Sequence, residues 1–320
     1  MTVVGVRASA SLGVRRYCDR LHDALAVCGV DYRPAERPHT GLRTHWHFAN
    51  SSRGALWQAL PPRQPLLVTV HDVRPRARVL EPTYRLCVHP LVYRRARVIV
   101  VHSRFAADML VADARVRGDR IRIVPHPAPQ LSAPGRAEAR RRLGWCDERP
   151  IALIPGVLKQ AKLVHETMAA AEPLVRAGRW RLAFVGHVPD ARLARAVRAA
   201  GAIVEEDPDD TTYQHALSAA DAVLVLRAGS VGESNGPLLD ALGARRAVLA
   251  TASGSIPEAA GEAALFCEAD ADSIRSGLVA LEDPSTRRDL EERAGDRAAD
   301  LSWRASARLH AGLFSEVFGE

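Results

Sequence analysis

Short runs of valine, isoleucine and leucine alternate with amphipathic segments along the whole chain, and that alternation admits few folds. Apolar strands separated by helical spacing predict parallel sheets with crossover helices. In the first half the spacing predicts strands at 3–7, 44–48, 66–70, 98–101 and 121–124, with helices over 14–28, 83–93 and 104–112. A stretch rich in Pro, Ser and Ala, Ala128–Gly135, then interrupts the pattern and leads into a short helix over 136–143. The alternation restarts with strands expected at 151–154, 181–185, 202–205, 222–226, 247–250 and 264–266. Helices are expected at 164–177, 191–200, 212–219, 236–243, 272–281, 284–300 and 303–317. At 320 residues two cores are the better expectation. The economical architecture is two doubly wound α/β domains facing each other across a cleft, with ligands beyond the carboxyl ends of the strands.

Apolar residues make up 47 % of the chain and charged residues 25 %, as in soluble globular proteins. No apolar run reaches the roughly 20 residues that span a bilayer. The start, Met1–Val6, enters a strand pattern with no basic region or long apolar stretch of a secretory signal. Five scattered cysteines without a C-x-x-C, Cys18, Cys28, Cys87, Cys146 and Cys267, are expected to be buried free thiols in a reducing cytosol. The Asn50-Ser51-Ser52 sequon then has no role. The net charge of +7 admits phosphorylated substrates or an anionic membrane surface as partners. Arginine is spread over the whole chain, however, and Arg140-Arg141-Arg142 is expected on one exposed helix face. Without aromatic interleaving or a recognition-helix motif, the charge argues against nucleic acid as a partner.

Lysine usage stands out. Of 44 basic residues only two are lysines, Lys159 and Lys162, three apart after a strand ending in Pro155-Gly156. A compact point charge in a turn that opens onto a helix suits a phosphate group, against chance placement on an exposed loop. A second constellation runs from Gly229 to Leu242: a strand end, a glycine-rich loop, and a helix starting at Gly236-Pro237. The amides of Ser234, Asn235 and Gly236 would face an anion or sugar hydroxyls. Glu233 at the loop tip and Asp240 a turn into the helix could grip a sugar and a ribose, or simply complement the helix dipole.

His71, in Thr69-Val70-His71-Asp72, falls at the carboxyl end of a strand, the catalytic edge of such a sheet; a structural histidine is the alternative. Gly13, after Ser11-Leu12, would allow a phosphate to approach the backbone closely. His45 and His47 share one strand face near His71 and Asp72, but no further ligand set stands at metal spacing, and no metal is expected. The signatures of nicotinamide dehydrogenases, P-loop ATPases and α/β-hydrolases are missing from the sequence.

These residues resemble the retaining glycosyltransferases of the GT-B fold, family four. The likeness is carried by Val98–Phe105 with Val124-Pro125-His126, by Gly232–Leu242, by Ala250–Glu258, by Gly261–Phe266 and by the Ser302-Trp303 helix. It implies an acceptor-binding domain over 1–130, a linker over 131–147 and a nucleotide-sugar domain over 148–300. A final helix over 301–320 would cross back to the first domain. By position, Lys162 matches the lysine that contacts the donor diphosphate, and Gly13 the glycine loop beside it. His71 matches the histidine that approaches the donor sugar, Glu233 with Ser234–Pro237 the sugar-binding loop, and Asp240 the acid that holds the ribose. The sequence departs from the family at three places. Val157 stands where an arginine is usual, and Lys159 is a candidate replacement. Glu233 and Asp240 are one residue closer than the family's paired acids, and the first loop carries a single glycine.

The resemblance implies transfer of a sugar from a nucleoside diphosphate to a hydroxyl acceptor with retention, in the cytoplasm or at the inner face of the membrane. It needs no cofactor beyond the donor, and the lysines and a helix N-terminus stand in for a metal. The acceptor is a glycan, a lipid-linked glycan or a natural product. The alternatives are a sugar-nucleotide epimerase on the same fold and a non-catalytic sugar-nucleotide binder.

Overall fold

The computed structural model describes residues 2–7, 12–36, 42–49, 66–75, 80–131, 134–145 and 148–319. Ser11, Cys146 and the Asn50-Ser51-Ser52 sequon lie outside them. The chain forms two compact units: Met1–Pro127 with Ser230–Ser234 and Leu301–Glu320, and Ala128–Gly229 with Asn235–Asp300.

The first unit is built on six parallel strands in the order β2-β1-β3-β4-β5-β6. They are β1 (Thr2–Arg7), β2 (Asp31–Ala35), β3 (Arg43–Phe48), β4 (Leu66–Val70), β5 (Ala96–Val101) and β6 (Ile121–Ile123). The edge strand β2 was not expected from the sequence. Its segment, DYRPA, carries two charges and a proline, which a sheet tolerates only at an edge. The single helix expected over 83–93 is instead three consecutive pieces: Glu81–Thr83, a π-helical turn Tyr84–Val88, and α2 (His89–Arg95). α1 (Leu12–Val27) and α3 (Arg104–Ala114) are as the spacing predicts, to within a residue or two at their ends. Gly5 sits beneath the Tyr32 ring, where any Cβ would lie 2.0 Å from the hydroxyl. The close approach of ring to backbone therefore requires glycine.

In the second unit the order is β12-β11-β10-β7-β8-β9, again all parallel. Here β7 is Ile151–Pro155, β8 Arg181–Gly186, β9 Ile203–Glu206, β10 Ala222–Val225, β11 Ala247–Thr251 and β12 Leu265–Cys267. Numbered within the unit this is 6-5-4-1-2-3, the doubly wound dinucleotide-binding order, whose topological switch point falls between β7 and β10. The helix Arg136–Leu143 belongs to this unit. Arg140, expected on an exposed face, instead bonds the buried Asp221, which also accepts the Ile151 amide at 2.7 Å. Arg141 and Arg142 are exposed and pair with Glu138. Cys18 and Cys267 are buried as expected, whereas Cys87 is exposed.

The last helix, Trp303–Phe318, is part of the first unit. Phe314 stacks on Tyr32 at 5.9 Å, and Arg97 donates to the Val317 carbonyl at 2.9 Å. No helix among the described residues is long and apolar enough to cross a membrane.

Candidate functional site

The second unit gathers its candidate residues at the switch point. After β7 the chain turns at Gly156, with φ +85°, a left-handed conformation that glycine adopts without strain. A Cβ there would lie 3.0 Å from Lys162 Nζ and 3.5 Å from Pro237, so the turn, the lysine and the start of the helix Gly236–Gly243 meet at one point. Lys162 donates to the Pro155 carbonyl. Burial, with Arg227 and Lys159 adding like charge, pulls its ammonium down to about 7. Lys159 precedes the short 3-10 turn Gln160–Lys162 that positions Lys162. Val157 is exposed on the same turn.

Arg227 was not singled out from the sequence. It lies two residues past β10, with its amide bonded to Thr251 Oγ1 at 2.8 Å, and its charge acts on Lys162. Strand-end placement at the switch point was the available signal, and the abundance of arginine obscured it. The helix that follows is capped by Asn235, whose Oδ1 accepts the Leu238 amide at 3.0 Å. Pro237 has no amide proton, and the amides of Asn235 and Gly236 bond no described residue. One turn in, Asp240 accepts from the Tyr213 hydroxyl at 3.0 Å. Tyr213 is a second residue that sequence reading missed.

Glu233 falls with the first unit. Its loop is fastened to the segment that follows His71-Asp72, where the Val73 and Arg74 amides donate to the Val231 carbonyl at 3.0 and 2.9 Å. Gly232, at φ +86°, tolerates no side chain, since a Cβ would lie 2.6 Å from Val73. The buried Glu233 carboxylate accepts from Ser230 Oγ at 2.8 Å and from the Val231 amide at 2.7 Å, bonds that brace its own loop. Ser234 Oγ is buried and has no partner among the described residues. Gly13 stands exposed in the first turn of α1.

His71 terminates a chain of buried polar groups. Thr69 Oγ1 lies 2.7 Å from His45 Nε2, and the Tyr32 hydroxyl lies 3.2 Å from His45 Nδ1 and 2.6 Å from His47 Nε2. His47 Nδ1 is then 3.2 Å from His71 Nε2. Each hydroxyl and each neutral imidazole has one proton to give, so the polarity of the chain is constrained. With Thr69 donating to His45, His45 to Tyr32, Tyr32 to His47 and His47 to His71, every link is satisfied. The opposite polarity leaves the Thr69 proton without an acceptor among the described residues. This assignment puts the proton of His71 on Nδ1. Burial, reinforced by the neighbouring histidines, holds His45, His47 and His71 well below the usual imidazole range. Tyr17 packs edge-on to His71 with ring centres 4.9 Å apart, and Trp303 of the last helix packs on Tyr17 at 5.3 Å. No group of three or more metal-ligating side chains occurs among the described residues. His45 and His47 serve the hydrogen-bond chain.

No family model matches the chain, and no curated protein matches it in sequence. Solved structures do. Sucrose-phosphate synthase from Thermosynechococcus elongatus is similar over 99 % of both chains, with a TM-score of 0.80 at 17 % identity. HepE of Anabaena in complex with UDP matches over 99 % of this chain and 100 % of its own, with a TM-score of 0.76 at 13 % identity. WaaG, a glycosyltransferase involved in lipopolysaccharide biosynthesis, matches over 100 % of both, with a TM-score of 0.66 at 16 % identity. The chain has the GT-B fold. At these identities the likeness carries the fold and not the reaction.

Proposed function

We propose that the protein is a retaining glycosyltransferase that moves a sugar from a nucleoside-diphosphate sugar to a hydroxyl acceptor. The observation that carries this reading is the meeting of Lys162, Arg227 and the start of the helix Gly236–Gly243 at the switch point of a dinucleotide-order sheet. Two cations and the unbonded Gly236 amide form a site for a diphosphate. Arg227, rather than Lys159, then stands in for the arginine that Val157 displaces. Asp240, held by Tyr213, is assigned the ribose hydroxyls. HepE, of the same fold, has been solved in complexes with UDP and with UDP-glucose, which favours a nucleotide sugar as the ligand.

In the reaction the bond from the anomeric carbon to the diphosphate breaks with its electron pair on phosphate oxygen. The acceptor oxygen bonds the same face of that carbon, and its proton passes to the departing phosphate. Lys162 and Arg227 stabilise the charge that develops on the leaving group, and they do so without a metal. His71, a neutral imidazole with Nδ1–H to donate, positions the donor sugar. Ser234 and Glu233 complete the sugar-binding loop.

Thermal-shift measurements with UDP, GDP and TDP test the donor half directly. Stabilisation by at least one of them, lost in Lys162→Ala, is expected; a flat response to all three would sink the reading. NMR of the sugar nucleotide alone separates the epimerase alternative, which turns the donor over without an acceptor. Transfer that is unchanged by chelator checks the metal-independent mechanism.

A further inference from the structure

The carboxyl edge of the first sheet carries a histidine at three successive strand ends. His71 follows β4, His102 follows β5, and His126 stands three residues past β6. Their rings form a row, with centres 5.3 Å apart from His71 to His102 and 5.0 Å from His102 to His126. Tyr17 of α1 packs on all three, at 4.9, 5.3 and 5.0 Å. The phenol is itself buried, so it fixes the row from the side of the core.

Hydrogen bonds to the backbone set the tautomers. His102 Nδ1 lies 2.8 Å from the Val124 carbonyl oxygen, and His126 Nδ1 lies 3.0 Å from that of Pro127. A carbonyl only accepts, so in both neutral rings the proton is on Nδ1 and Nε2 carries the lone pair. His71 is the reverse, with Nε2 accepting from His47 and the proton on Nδ1.

The three also differ in access. His102 Nε2 is sealed inside the protein. His71 and His126 are partly exposed, and neither His71 Nδ1 nor His126 Nε2 is sealed or bonded to a described residue. The edge therefore offers a ligand one donor nitrogen and, two rings along the row, one acceptor nitrogen. Hydroxyl groups suit both, since each gives one proton and accepts others.

We propose that His126 positions a sugar acceptor: its Nε2 takes a hydrogen bond from one hydroxyl while a neighbouring hydroxyl, beside His71, attacks the donor. The proposal rests on the glycosyltransferase reading. There the attacking hydroxyl gives its proton to the departing phosphate and has none left for His126, which must hold a different hydroxyl. Burial pulls His126 down to about 3, so the ring stays neutral and takes no part as a base. The acceptor then carries at least two hydroxyls, as a sugar residue does and a simple alcohol or phenol does not.

Nitrogen-15 NMR of the histidine-labelled full chain tests the proposal, by titration with the methyl glycosides of glucose, galactose and mannose and with cyclohexanol. At least one glycoside should shift His126 Nε2 and His71 Nδ1 saturably at high millimolar concentration, and cyclohexanol should not. His126→Phe keeps the ring and loses the acceptor, and should weaken that glycoside about tenfold. His126→Gln, whose amide oxygen can take the place of Nε2, should recover most of the affinity, which a purely structural ring would not allow. Circular dichroism of each variant confirms the fold. The proposal is overturned if no glycoside shifts His126, if cyclohexanol shifts it equally, or if His126→Phe binds as the parent does. Thermal stabilisation by UDP is read on the same samples. Its absence from the parent counts against the donor reading, whereas UDP binding with no glycoside effect at His126 overturns this inference alone.

Discussion

Acidification from pH 7.5 to 5.5 should destabilise the first unit selectively. Four of its histidines, His45, His47, His89 and His310, are at most 3 % exposed. Burial is the leading cause that lowers each of them: His89 and His310 to about 4, His45 and His47 well below the usual range. The unfolded chain takes up protons near pH 6.5; in the folded unit His89 and His310 take them up only near pH 4, and His45 and His47 only well below their usual range. Between those values the unfolded state binds more protons, so stability is full above about pH 6.5 and falls as the pH drops. From pH 6.5 to 5.5 each histidine stabilises the unfolded chain by about 1 kcal/mol, which makes about 4 kcal/mol for the four. Against a total of ~5–15 kcal/mol that is a large fraction, equivalent to roughly 10 °C in the melting temperature of a unit this size. Calorimetry at pH 7.5, 6.5 and 5.5 reads the loss. Hydrogen exchange followed by mass spectrometry should place it in peptides of β1 to β5 while those of β7 to β12 stay protected. A first unit equally protected at pH 7.5 and 5.5 would refute the reasoning.

With Lys162 near 7 in the free protein, an anion that binds it must raise it again. UDP affinity should therefore fall by up to about tenfold per pH unit above pH 7, with proton uptake detectable by titration in buffers of different ionisation enthalpy. Tyr32→Phe removes the hydroxyl that links His45 to His47, and should cost about 2–4 kcal/mol in urea unfolding. The same change should mix the tautomers of His71, which nitrogen-15 NMR of the parent should show protonated on Nδ1. Gly232→Ala puts a Cβ 2.6 Å from Val73 at a positive φ, and should release the loop at a cost of about 2–4 kcal/mol. Loss of protection at the Val73 and Arg74 amides is the readout.

Much of this was legible in the sequence because parallel strands advertise themselves. Leu66–Val70, Gly236–Gly243 and Pro284–Asp300 have the bounds that their apolar runs and caps predict. β2 was hidden because an edge strand needs only one buried face, and Pro34 reads as a breaker. The π-helical turn at Tyr84–Val88 has no sequence period of its own. Within the sites, Lys162 was visible through its rarity and His71 through its position at a strand end. Arg227 was lost among the arginines. The polar chain behind His71 was invisible for a different reason, since Tyr32, His45 and Thr69 are brought together only by the register of neighbouring strands.

The first unit takes in the helix Trp303–Phe318, and this orders events during synthesis. Phe314 covers Tyr32, and His310 lies against His45 with ring centres 5.5 Å apart, so the first core is closed by residues made only after the whole second unit. The second unit is continuous apart from Ser230–Ser234 and needs no such wait. A ribosome that translates this chain therefore carries an open first core, its apolar face uncovered, while more than half of the sequence is still to come. The long-range closure makes that core slow to complete and exposed to aggregation. A chain stalled before Leu301 would present Tyr32, Leu21 and Leu25 to solvent and to chaperones.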